Sequence, residues 1–384
     1  MAFQMQAVAV GWQIYELTHS TLQLGMVGLV QFLPMVILTL LTGHAADRYD
    51  RRIIVAIATA GQAMAIGFLV IGSLGHWIGP GQIYAAVAVV GAGRAFERPA
   101  SQALMPNLVP EAQVPRAIAW GSGAMQTAFV IGPAVGGLLY GWGPSAAYGA
   151  ACALTICASI LTFLIRQERV AAPREPADLH SVFSGIHYIR RSPVILGSIS
   201  LDLFAVLLGG ATALLPAFAR DILHIGAAGL GALRAAPAAG ALLMSVVLIH
   251  KPLGSKVGRK MFAAVFAFGA ATVVFGISRS PILSFAALLC LGAADMISVV
   301  VRSSLVQLET PDAMRGRVSA VNSLFIGTSN QLGEFESGVT ASLFGTVPAT
   351  VLGGVGTIIV CVLWMRLFPS LRAFDRLDQP RPAA

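Results

Sequence analysis

The chain has 384 residues, 56% of them hydrophobic and only 11% charged, with a mean hydropathy of +0.78. Soluble globular proteins carry about a quarter charged residues, so 25 Lys and Arg with 17 Asp and Glu cannot clothe a water-facing surface of this size, and a soluble fold is excluded. The formal net charge of +8 lies between apolar runs without a basic-aromatic stripe, which argues against nucleic acid as a partner.

A helix that crosses a bilayer needs about 20 mainly apolar residues. Twelve such runs follow one another, centred near Val8, Phe32, Met64, Val89, Thr127, Thr155, Val206, Leu242, Phe268, Leu289, Gly327 and Ile358. The first is short, reaching the Thr18-His19-Ser20 turn after about 16 residues. It reads as a truncated first helix that an upstream in-frame extension would complete, and it lacks the charged start and cleavage site of a signal peptide. The 41 Gly and 20 Pro fit membrane helices, whose neighbours re-satisfy freed backbone groups. Cys152, Cys157, Cys290 and Cys361 lie in apolar runs without a CxxC pair and read as small core residues, so no metal and no cofactor are expected.

Charge sets the orientation. Nineteen of the 25 basic residues fall in the connections after the second, fourth, sixth, eighth and tenth runs and in the tail, whereas the opposite connections hold only Arg220 and Arg279. This places the rich side and both termini in the cytoplasm of a bacterial cell, with the chain in the cytoplasmic membrane.

The long polar connection around residues 166–192 separates six runs from six, giving bundles at 1–165 and 193–368 and a tail at 369–384. At an offset of 201, Gly91 meets Gly292, Pro110-Glu111-Ala112 meets Pro311-Asp312-Ala313, Arg116 meets Arg317, Gly132 meets Gly333 and Gly137 meets Gly338. One offset over so many positions predicts a duplicated six-helix unit. The fold class is an all-α membrane protein of twelve transmembrane helices in two pseudo-repeats.

The loop Gly43-His44-Ala45-Ala46-Asp47-Arg48-Tyr49-Asp50-Arg51-Arg52 resembles the signature loop of the major facilitator superfamily, with Ala45 for the usual Leu and Asp50 for the second Gly. The matching loop of the second half keeps Gly258-Arg259-Lys260 but has Ser255 in place of the acid. Gly132-Pro133-Ala134-Val135-Gly136-Gly137 is similar to the G-P-x-x-G-G element of the family's antiporters. Val8 to Gln13, Gly93 to Ala100 and Thr310 to Val318 look most like its branch of bacterial siderophore exporters and secretion effectors. The resemblance implies the major facilitator fold, a small-molecule substrate, proton coupling and a monomer that suffices for transport. It also implies that Gly43, Asp47, Arg48, Arg51 and Arg52 act as a conformational latch, and Gly132, Pro133, Gly136 and Gly137 as a gate. The competing readings are positive-inside anchoring to anionic lipid for the loop, against which the Gly and Asp spacing favours the latch, and small-residue packing for the glycines, against which Pro133 favours the gate.

Charges within spans are costly in lipid and mark candidate functional residues. Arg94, Glu97 and Arg98 can share one face of the fourth span, where one carboxylate meets two guanidinium groups and Asp47 is the natural further acid. Arg94 stands loosely where the resemblance places an Arg linked to proton movement, and a purely structural cluster is the other reading. Asp202 lies nine residues into the seventh span, about 14 Å along its axis. No basic residue lies within a turn of it, so it reads as a lone mid-bilayer carboxylate and the first choice for a proton-coupling group. Asp295 occupies the repeat position of Arg94, which makes the two candidates for a salt bridge across the cavity that breaks during alternation, and Arg302 follows two turns later on the same face. Glu334 and Glu336 lie roughly 25 Å from the cytoplasmic end of the eleventh span, where they either serve transport or simply reach periplasmic water, and Asn330 and Gln331 are candidate cavity hydrogen-bonders or, equally, packing contacts. With no Walker A sequence, catalytic triad or cofactor fingerprint, no enzyme is expected. The reading is a secondary transporter, with proton-coupled efflux of a siderophore, drug or metabolite favoured. Proton-coupled uptake and a non-transporting membrane partner or sensor are the alternatives.

Overall fold

The apolar runs become helix throughout. A computed structural model describes residues 1–165 and 179–376, except for the side chains of 39–41, 43–48, 106, 107, 179–183 and 313. The main helices are α1 (Ala2–Thr18), α2 (Thr21–Arg48), α3 (Arg51–Leu74), α4 (Pro80–Leu104), α5 (Val114–Tyr140), α6 (Pro144–Leu164) and α7 (Leu179–Arg191). There follow α8 (Pro193–Leu208), α9 (Gly226–His250), α10 (Val257–Ile277), α11 (Pro281–Leu308), α12 (Asp312–Phe344) and α13 (Thr346–Leu367). Proline stands in the first turn of α4, α5, α6, α8 and α11, where its fixed φ favours helix and its missing N–H is not needed. Every predicted run lies in one of these helices, and α7 is a short amphipathic helix inside the long central connection.

Nine helical stretches among the described residues are long and apolar enough to cross a membrane. Of the helices that hold the twelve predicted runs, α1, with 17 residues, and α4 and α12, which carry charged residues of their own, fall short. The seventh run is broken: α8 ends at Gly209, and a 3-10 turn at Ala211–Leu214 and a π turn at Phe218–Ile222 follow. A Cβ on Gly210 would lie 2.6 Å from the Gly333 carbonyl oxygen of α12, so the break sits where two backbones nearly touch.

The chain divides into two compact units, Met1–Ala177 with Pro216–Ala235, and Asp178–Leu215 with Ala236–Ala384. In the first, α3 packs on α4 and α6, α2 on α4, and α1 on α5 and α6. In the second, α10 packs on α11 and α13, and α8 on α12 and α13, which repeats the pattern six spans later. The repeated glycines do the same work in both. A Cβ on Gly91 would strike the Gln31 carbonyl of α2, and one on Gly292 would strike the Pro237 carbonyl of α9. Gly132 approaches Gln4 and Met1 of α1, and Gly333 approaches Val206 and Leu207 of α8. The offset of 201 therefore preserves the points of closest helix approach.

Burial corrects one expectation. Among the four cysteines, Cys361 is buried and Cys152 half-buried, but Cys157 and Cys290 are exposed on the outside of the helices. Lipid-facing and core positions are both apolar in a membrane protein, so the run alone does not tell them apart.

Both signature-type loops are capped by aspartate, from different places. The Asp50 carboxylate accepts from the Arg52 backbone N–H at 2.9 Å and caps α3, which gives this departure from the family pattern a structural role. In the second unit the cap comes from the tail: Asp375 accepts from the Lys256 N–H through Oδ1 at 2.8 Å and from the Val257 N–H through its carbonyl at 3.0 Å. Leu371 and Phe374 anchor this segment in the core beneath α8 and α10. Asp375→Ala is expected to lower stability by about 1 kcal/mol, as for a lost N-cap. Thermal unfolding of the detergent-solubilised chain beside Asp50→Ala checks this.

Candidate functional site

The second unit holds the most heavily buried charges among the described residues. Asp202 of α8 pairs with Arg302 of α11, their side chains only 7% and 3% exposed. This corrects the reading of Asp202 as a lone carboxylate: its partner lies a hundred residues away in sequence, and helix packing brings it within contact. One Asp202 carboxyl oxygen meets Arg302 Nη1, while Arg302 Nε is buried with no hydrogen-bond partner among the described residues. Beside the pair lies a cavity of about 10 Å³ for the centre of a water molecule, room for about one water. Asp202, Asp295, Ser298, Val265 and Phe268 line it. Ser298 Oγ is buried without a partner among the described residues, three residues and one turn from Asp295. Asp295 has no ion pair or hydrogen bond among the described residues.

The charges of α4 are arranged differently from expectation. Arg94 stacks over the Phe3 ring of α1, its Cζ 3.5 Å from the centroid. Glu97 accepts a hydrogen bond from the Gln62 side-chain amide of α3 at 2.8 Å. Arg98 is exposed. The guanidinium partners expected for Glu97 are thus replaced by a neutral amide on a neighbouring helix, which spacing along α4 cannot foresee.

At the start of α3, Arg51 donates to the Ala103 carbonyl of α4 at 3.2 Å and Arg52 to the Ile165 carbonyl after α6 at 2.5 Å. Guanidinium groups there meet carbonyls left over at helix C-termini. The side chains of Gly43, Asp47 and Arg48 lie outside the described residues.

The Gly-Pro element of α5 is a backbone contact surface. A Cβ on Gly136 would lie 2.7 Å from Met5 Cα and 2.9 Å from the Met5 carbonyl oxygen of α1. One on Gly137 would strike the Ala227 carbonyl and lie 2.8 Å from Gly231 Cα in the first turns of α9. Pro133 lies inside α5, and its carbonyl faces Gly231.

The family model of the Major Facilitator Superfamily matches residues 1–334. The chain belongs to the major facilitator superfamily. It is a multi-pass membrane transporter, and not an enzyme. The enterobactin exporter EntS of Citrobacter koseri is 28% identical over 98% of this chain and 89% of its own length. The fold matches the nucleoside transporter NupG with a TM-score of 0.73 at 14% identity, covering 96% of this chain and 95% of that one. It matches the D-xylose-proton symporter with a TM-score of 0.73 at 13% identity, covering 97% and 96%.

In this major facilitator chain, α12 carries its polar residues along a half-buried stripe. Glu334 and Glu336 are half-buried, and Glu336 accepts from the Thr340 hydroxyl at 2.7 Å. Asn330 is exposed and donates back to its own helix at the Ile326 carbonyl, whereas Gln331 Oε1 is buried without a partner among the described residues. Sequence reasoning missed a pair of tyrosine-carboxylate bonds in the first unit. The Tyr15 hydroxyl donates to Asp221 of the π turn, and the Tyr140 hydroxyl to Glu16 at 2.8 Å. The only sequence signal is a Tyr-Glu pair closing a span, which is indistinguishable from an interfacial anchor.

Proposed function

We propose that the chain exports a small molecule across the bacterial cytoplasmic membrane in exchange for protons, by alternating access of two six-helix halves at residues 1–165 and 193–368. The observation that carries this reading is the buried cluster of Asp202, Asp295 and Arg302 in the second unit. Charges this deep in a membrane protein are costly and persist where ions or substrates are handled. Similarity to an enterobactin exporter along nearly the whole chain supports the outward direction and a siderophore as the first compound to test. In the same reading Arg94, Glu97, Arg98 and Glu334 contribute to coupling. Gly43, Asp47, Arg48, Arg51 and Arg52 bias the two access states, and Gly132, Pro133, Gly136 and Gly137 seal one face. The transporter works as a monomer with both termini in the cytoplasm.

The test is transport by the full chain in liposomes with an imposed pH gradient, with enterobactin first in a panel of siderophores and drugs. Accumulation that follows the gradient, collapses with a protonophore and is accompanied by proton movement is expected. A site-labelled chain that alternates while no compound and no protons move would overturn proton-coupled export.

A further inference from the structure

We infer that the transported proton is carried by Asp295, while Asp202 stays ionised in a fixed pair with Arg302. This deepens the proposed proton exchange and rests on it. A coupling carboxyl has to pass between charged and neutral forms at each turnover. Asp202 is poorly suited: its partner is a guanidinium that does not deprotonate, and protonating the acid would leave Arg302 buried and uncompensated. Asp295 lines the same cavity without an ion pair among the described residues.

The surroundings of Asp295 serve both of its forms. The Ser298 hydroxyl, buried without a partner one turn away, can donate to the ionised carboxylate or accept from the protonated acid, directly or through the single water the cavity has room for. From α8 the charged group facing the cavity is Asp202, balanced by Arg302, and from α10 the facing residues are the apolar Val265 and Phe268. On α11 itself, Arg302 lies two turns away and is already engaged. From α9, which meets α11 at Pro237 and Gly240, no charged residue lines the cavity, so among the described residues a neutral pair with apolar walls leaves the charge of Asp295 uncompensated; taking up a proton discharges it and giving the proton to water restores it. The step is a bare proton transfer, with no other bond made or broken.

The test does not need the substrate. The infrared carbonyl-stretch band of buried carboxylic acids is recorded during a pH titration of the full chain, for the wild type, Asp295→Asn and the charge-neutral pair variant Asp202→Asn/Arg302→Gln. The inference expects a titrating band in the wild type, its loss in Asp295→Asn and its retention in the pair variant. Because Asn matches the protonated acid in shape and leaves the ion pair intact, Asp295→Asn is expected to elute as a single species like the wild type. Retention of the band in Asp295→Asn, its loss only in the pair variant, or its absence from the wild type overturns the inference. In liposomes, Asp295→Asn is expected to abolish enterobactin-dependent proton movement while enterobactin still exchanges. If no compound of the panel is carried while the band behaves as expected, the exporter reading falls and the proton site stands.

Discussion

Asp202→Asn is expected to be the most damaging single substitution in the second unit, lowering stability by about 3–5 kcal/mol, because it strands Arg302 in a site only 3% exposed. A guanidinium cannot shed its charge, and Arg302 Nε already lacks a partner, so nothing nearby among the described residues takes up the loss. Arg302→Gln is expected to be milder, since the carboxyl left behind can discharge by taking a proton. The double variant Asp202→Asn/Arg302→Gln is expected to recover most of the difference, because removing both charges also removes the desolvation that the pair offsets. Thermal unfolding of the three variants in one detergent, followed by the fraction eluting as a single species, measures this. Equal stability of Asp202→Asn and the wild type would show that the pair is not desolvated. The asymmetry between the two single variants separates a buried ion pair from ordinary polar packing, which would treat them alike.

Gly136→Val and Gly137→Val are expected to cut transport at least about tenfold and to cost about 1–3 kcal/mol, as overpacking does where a neighbour cannot move aside. The atoms facing them are backbone: Met5 Cα and its carbonyl for Gly136, the Ala227 carbonyl and Gly231 Cα for Gly137. A flexible side chain could swing away, but a helix backbone has to shift as a body, separating α5 from α1 or from the start of α9. Gly123 is the control on the same helix, since a Cβ there meets nothing within 4 Å. Gly123→Ala is expected to leave transport unchanged and stability unchanged or slightly raised, because Ala loses less backbone freedom than Gly in a helix. Flux in liposomes beside thermal unfolding tests the set. Wild-type flux in Gly136→Val would remove the close approach from the working cycle.

The same glycines show how far a linear pattern carries. The recurrence of Gly91 and Gly132 as Gly292 and Gly333 is visible as an offset, and each pair occupies the same helix contact in its own unit. Glycine at a helix crossing is a requirement of shape, and shape repeats when a unit is duplicated. The caps behave otherwise. Asp50 can be read as a cap from its place before α3, but the partner of the Lys256 and Val257 backbone comes from Asp375, beyond the last span. No local pattern announces a cap delivered from so far along the chain.

The amino-acid sequence by itself determined the class of solvent, the all-helical fold, the order of the apolar runs and the family. Those properties follow from composition, run length and period, which are local sums along the chain. Which charges meet was decided by tertiary structure alone. Arg302 reaches Asp202, Gln62 reaches Glu97, Phe3 lies under Arg94, and Asp295 is left beside a buried hydroxyl with no ion of its own. In a bilayer the apolar face toward lipid and the apolar face toward the core use the same residues, so hydrophobic periodicity does not say which way a helix is turned. The rotation of each helix about its axis therefore comes from packing, and it is that rotation which turns scattered ionisable residues into a paired acid and a solitary one.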